Sequence, residues 1–156
     1  MNENASDGSK AETTPELRLY EVSQLHVDPE NPRLPDNVDG HDEAAVMACM
    51  LADATILELI YSIAVLGYFS GEPLLIAPDA SDRLIVVEGN RRLAALRLLQ
   101  DPSSAPSRKR AVEDAAKLAK AVPTRVPCVR FENRNDILDY LGYRHITGII
   151  EVRSFR

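Results

Sequence analysis

The chain has 156 residues, 45% of them hydrophobic, and a net charge of -6, which is enough apolar material for one core and too acidic for a protein that coats nucleic acid. Its longest nearly uncharged stretch, Leu59 to Phe69, is far shorter than the roughly 20 residues that span a bilayer, and no basic, apolar leader opens the chain. The two cysteines, Cys49 and Cys128, lie far apart and form no CxxC pair, so a soluble protein of the reducing cytoplasm is expected.

Residues 1–16 are polar and read as a disordered tail, since they cannot bury enough surface to offset their ordering entropy. Leu17 to Val22 alternates as a half-buried strand, and the three prolines of Asp28 to Pro35 then impose an extended loop. Helices are predicted at Asp42 to Ala52 and at Thr55 to Leu66, where Ile56, Leu59, Ile60, Ile63 and Leu66 share a face and Gly67 provides the stop. Pro73 to Ala77 and Arg83 to Val87 read as strands joined through the turn Pro78 to Asp82. A helix follows at Arg91 to Leu99, another at Arg108 to Ala121, a strand at Arg125 to Phe131 and a last helix at Asp136 to Tyr143. This order predicts an α+β domain over residues 17–152, a small sheet with helices packed around it.

Charge is uneven along the chain. Residues 1–82 carry 3 Lys and Arg against 16 Asp and Glu, whereas residues 83–156 carry 15 against 8, so an anion is drawn to the second half. Within that half, Val86-Val87-Glu88-Gly89-Asn90-Arg91-Arg92 sets a glycine between a strand and the first turn of a helix. Gly89 can take a positive φ and admit a ligand close to the backbone, and the free N–H groups of the helix start favour an anion. Arg91 and Arg92 oppose the helix dipole there, by roughly 0.3 to 1 kcal/mol each, a cost that a bound phosphate would offset. Their guanidinium forks suit phosphate oxygens, and Asn90 could cap the helix or add a donor. The alternative is that both arginines pair with Glu88 and neighbouring acids.

Gly89-Asn90-Arg91-Arg92-Leu93-Ala94-Ala95 resembles the Gly-Glu-Arg-Arg-x-x-Ala box of ParB-type domains. Asn31-Pro32-Arg33-Leu34-Pro35 is similar to the Asn-Pro-x-x-Pro segment near the start of that domain, and Leu59-x-x-Ser62-Ile63-x-x-x-Gly67 with Pro73-Leu74 resembles its next box. The landmarks fall in the family's order across Leu17 to Ile150. The resemblance implies a ParB/sulfiredoxin-like fold with a mixed sheet and a nucleoside triphosphate as ligand, CTP or ATP. The family's last box maps onto Tyr143 to Gly148, so Arg144, His145 and Thr147 join Ser62, Gly67 and Gly89 to Arg92 as expected ligand contacts. A nucleotide-operated switch in DNA partition, transcription control or mobile-element biology is implied, with a homodimer possible and DNA contacted only through a region absent from this chain.

Several residues depart from the family pattern. Asn90 stands where partition proteins carry a glutamate implicated in hydrolysis, and Arg144 stands where they carry a metal-binding glutamate, so turnover and any Mg2+ requirement are left open. The loop from Gly67 to Pro73 is two residues longer than usual, which leaves the base preference open. Sulfiredoxin places a catalytic cysteine in this box and Asn90 excludes that chemistry. His26 and His41 have no zinc-ligand spacing, so no metal site is predicted. The rival reading is an enzyme on the same fold, a small-molecule kinase, NTPase or nuclease, with Glu88 as general base. The last four residues, 153–156, read as the start of a C-terminal extension.

Overall fold

The alternation after Pro15 becomes strand β1 (Glu16–Glu21), followed by a 3-10 turn and a three-residue strand β2 (Leu25–Val27). The structure, a computed structural model, describes the backbone of residues 15–154 and the side chains of residues 15–144; the tail expected over residues 1–16 therefore lies, apart from its last two residues, outside the described part. Helix α1 (Glu43–Ala52) starts on Asp42, whose side chain accepts from the Ala45 amide. Asp53 then ends α1 and starts α2 (Ala54–Leu66) by accepting from the Thr55 amide, so a single short polar residue turns the chain by 94°. Gly67, at φ 85°, ends α2.

Strands β3 (Leu74–Pro78) and β4 (Leu84–Glu88) form the predicted hairpin, its turn tied by Asp79, which accepts from the Ser81 and Arg83 amides. Helix α3 (Asn90–Gln100), α4 (Lys109–Leu118), strand β5 (Arg125–Arg130) and α5 (Arg134–Ser154) complete the chain. The sheet runs β1-β5-β3-β4-β2, with antiparallel pairs β1/β5 and β3/β4 and parallel pairs β3/β5 and β2/β4. A mixed sheet with helices on it is the α+β class that the element order predicts.

Most of the core lies on one face, where Leu74, Ile76, Val86, Val126 and Cys128 meet buried residues of α1 to α4. Seven of the eleven residues of α3 are buried, so this helix runs inside the domain, part-exposed at Arg91, Arg92 and Arg97 and exposed at Gln100. The opposite face is covered by α5 through Ile137 and Leu141, which pack with Leu75, Ala77, Val87, Val129 and Phe131. Helix α5 departs from its expected limits: it begins at Arg134 and continues past Tyr143 to Ser154, because an interior glycine such as Gly142 or Gly148 costs only about 1 kcal/mol and need not stop a helix. Strand β2, unforeseen, is too short to show an alternation and exists through its parallel pairing with β4. Among the described residues no single helix is long and apolar enough to cross a membrane.

Candidate anion-binding site

Where β4 gives way to α3, Gly89 adopts φ 104° and serves as the N-cap without any side-chain cap bond. An α-helix leaves its first N–H groups without intrahelical acceptors, here those of Asn90, Arg91 and Arg92. This turn borders a cavity of about 200 Å³ lined by Asn31, Arg33, Val87, Glu88, Gly89, Asn90, Arg91 and Arg92. The proline-rich loop is thus brought against the glycine turn, two segments that lie far apart in sequence. Arg33 was not singled out by the sequence reading, although it stands inside one of the motifs.

The structure overturns one expectation about this turn and adds to another. Asn90 does not cap α3: it is buried, at 6% exposure, and its Oδ1 accepts from the Asp28 amide at 3.0 Å. Gly89 is required by more than ligand access, since a Cβ there would lie 2.4 Å from Leu74 Cδ2 in the core and 3.1 Å from Arg92 Nη2. Sequence inspection could not find the first, because Asp28 lies 62 residues away.

Arg91 and Arg92 turn away from Glu88. Arg91 donates to the Thr55 hydroxyl and lies 3.8 Å from the Asp53 carboxylate. Arg92 donates to the Glu72 carbonyl and, at 3.4 Å, to the Tyr68 hydroxyl, which itself donates to Glu72 O. Hydrogen bonds from the Thr55 amide and then its hydroxyl, with a smaller pull from Arg91, hold the Asp53 carboxyl below the ordinary carboxylate range. Burial raises the Tyr68 phenol, and Arg92 opposes that rise. The loop after Gly67 therefore reaches the site through Tyr68 and Glu72. Ser62 is exposed on α2 and is not among the described residues that line the cavity.

From the other face of the sheet, Arg144 of α5 approaches Glu88 at 3.9 Å and lies over the Tyr140 ring. This brings the last motif to the rim of the cavity. The side chains of His145 and Thr147 lie outside the described residues. Helix α5 is fixed at its other end by a group the sequence reading missed: Arg134 Nη1 lies 2.6 Å from Asp28 Oδ1, and Arg134 also donates to the Glu30 carbonyl. Asp28 is 1% exposed, and its Oδ1 also accepts from the Glu30 amide. In a sequence, Asp28 and Arg134 look like any solvated charges.

No family model matches this chain, and no curated protein matches it. Among solved structures, the C-terminally truncated chromosome-partitioning protein ParB from Caulobacter crescentus, complexed with CTP-gamma-S, is similar at a TM-score of 0.44 and 18% identity. The similarity covers 76% of this chain and 45% of that one.

The cysteines take no part in the cavity lining. Cys128 is fully buried in the core, and burial pushes its thiol up to about 12, so it stays protonated and unreactive at neutral pH. Among the described residues no three His, Cys, Asp or Glu groups converge as metal donors. Glu88, the one carboxylate lining the cavity, is already paired with Arg144.

Proposed function

We propose that this chain is a nucleotide-binding module of the ParB type, seating the phosphates of a nucleoside triphosphate at the start of α3. The observation that carries this reading is a cluster of three arginines against one carboxylate in the cavity lining, with Arg91 near Asp53 and Arg92 held by neutral groups alone. Arg33, Arg91 and Arg92 line the cavity; Arg92 is oriented by a carbonyl and a hydroxyl, which fix its position and leave its charge uncancelled. Beside it stand the uncapped N–H groups of α3, a combination suited to phosphate oxygens. The order of sequence motifs supports the ParB type. The cavity's about 200 Å³ is below the roughly 300 to 1,000 Å³ of sites that enclose a whole small molecule. It suits the phosphate chain, with the sugar and base resting on neighbouring surface, for which the loop from Tyr68 to Glu72 is the nearest candidate.

Binding without turnover is the form we favour. Asn90, committed to the Asp28 amide, has no acid or base to offer, and Glu88 is engaged by Arg144. Charge neutralisation falls to the arginines, so affinity should depend weakly on magnesium. Calorimetric titration with CTP, ATP, GTP and UTP, in EDTA and in excess magnesium, tests both statements. At least one triphosphate should bind in EDTA, and Arg144→Glu should weaken that binding and recover part of it with magnesium. Absence of binding and of thermal stabilisation by all four would sink the reading and favour a pure protein-interaction module.

A further inference from the structure

The turn between α2 and β3 holds an aromatic ring that the phosphate site does not use. Residues 67–71 are uncharged, and the chain has no tryptophan. Their two aromatic residues differ in exposure: Tyr68 is half-buried, packs against the core and donates its hydroxyl to the Glu72 carbonyl, whereas Phe69 is 74% exposed. Phe69 is nevertheless held. Its carbonyl accepts from the Glu72 amide at 3.1 Å, and one edge of its ring lies over Gly71, where a Cβ would stand 2.9 Å from Cε1 and 3.1 Å from Cζ. Among the described residues it stacks on no other ring. The same turn is tied to the phosphate site, because Arg92 donates to the Glu72 carbonyl and, at 3.4 Å, to the Tyr68 hydroxyl. Phe69 is thus one residue from a group in contact with the Arg92 guanidinium, with roughly 3.8 Å between neighbouring Cα atoms.

We propose that Phe69 is the platform on which the base of the nucleotide stacks, and that the base is held by its π-face with little regard to its identity. The proposal rests on the phosphates being seated at the start of α3. A ligand anchored there extends its sugar and base onto adjoining surface, and the turn that Arg92 holds brings a ring to that surface. Every base offers a π-face, so an aromatic platform binds without choosing among them. Choosing a base takes fixed donors and acceptors along its edge, and this turn has few to give. The Tyr68 hydroxyl and the Glu72 carbonyl are engaged with each other and with Arg92. Among the described residues no hydrogen bond or ion pair fixes the exposed side chains of Ser70 and Glu72. The ligand class is therefore nucleoside triphosphates in general, purines ahead of pyrimidines because their π-face is larger.

Calorimetric affinities of the full chain for CTP, UTP, ATP, GTP and inorganic tripolyphosphate, in the parent and in Phe69→Ala, test this. The parent should bind all four nucleotides within about tenfold of one another. Phe69→Ala should weaken each of them roughly 5- to 150-fold, the loss of one stacked base, and leave tripolyphosphate affinity and melting temperature unchanged, because the ring is exposed and outside the cavity. Phe69→Leu, apolar but without a π-face, should behave in the same way. Phe69→Trp should retain nucleotide affinity, and its indole, then the sole tryptophan, should be quenched by nucleotides and not by tripolyphosphate. Nucleotide affinities unchanged in Phe69→Ala overturn the proposal while the phosphate site stands. A preference above about a hundredfold for one base overturns the indifference to base, since it requires reading of the base edge. If neither tripolyphosphate nor any nucleotide binds the parent, the phosphate seating fails and this proposal fails with it.

Discussion

Two polar clusters meet at the first turn of α3 and handle charge in opposite ways. Behind Asn90, Asp28 is buried and met by Arg134, by the Glu30 amide and, through its own amide, by Asn90. In front of it, Arg91 and Arg92 are part-exposed and Arg33 exposed, and the acceptor groups that hold Arg92 are uncharged. A buried ion has to be paired because desolvation is otherwise prohibitive. An open cluster can leave its charge unsatisfied and spend it on a ligand. The first cluster should therefore show up in stability and the second in affinity.

The largest expected effect follows from removing Arg134. Arg134→Ala leaves the Asp28 carboxylate buried without its cation, which should cost about 3 to 5 kcal/mol in urea unfolding. If the loss is under about 1 kcal/mol, the range for surface ion pairs, the cluster is only a surface contact. Asp28→Asn combined with Arg134→Gln should cost less than Arg134→Ala alone, because no charge remains unpaired.

Gly89→Ala comes next, at roughly 2 to 4 kcal/mol, from the left-handed backbone and the contact its Cβ would make with Leu74. Chemical denaturation measures it. Because this substitution strains the fold, lost nucleotide binding in it says little about the phosphate site, and Arg92 is the sharper probe.

Alkaline titration gives a third effect. The Cys128 thiol is raised by burial from 9.0 to about 12, so below pH 9 folded and unfolded chains are equally protonated there. Between those values the unfolded chain loses its proton and the folded chain keeps it. Stability should fall as pH rises through that window, by at most about 4 kcal/mol. Cys128→Val should flatten the slope; an unchanged slope would assign the loss to other groups, Tyr68 first, whose phenol is also raised by burial.

The smallest stability effect should accompany the largest effect on ligand. Arg92→Gln removes a part-exposed donor and should cost about 1 kcal/mol in stability, while nucleotide affinity falls at least tenfold, a loss of about 1.4 kcal/mol or more in binding free energy. If unfolding is severe and affinity is unchanged, the division between the two clusters is wrong.

Local signals in the sequence were enough for the hairpin, for the helices from α1 to α4 and for the glycine turn at 89, because each rests on neighbouring residues: Asp79 with Arg83, Asp42 with Ala45, Gly89 with the run of leucines and alanines after it. What stayed hidden depends on distant partners. Asn90 looks like a capping or ligand residue until Asp28 is brought to it. Arg134 looks like a solvated charge until β5 and α5 place it against the proline-rich loop. Leu74 beneath Gly89, and β4 beside the three residues of β2, are likewise decided by the sheet and leave no periodic trace.

The pairing of β1 with β5 has a consequence for how the chain is made. Glu21 and Arg125 are joined across 104 positions, so β1 must wait for β5, the strand it pairs with. At a synthesis rate of roughly 5 to 20 residues per second, that interval is about 5 to 20 s. During it β1 has no neighbour, and Leu17 and Leu19, still 59% and 64% exposed in the finished fold, are available to any other unpaired strand edge. Closing so long a loop is slow relative to local hairpin and helix formation. The nascent chain is therefore most open to misassembly while the hairpin and α3 are already made and β5 has yet to emerge.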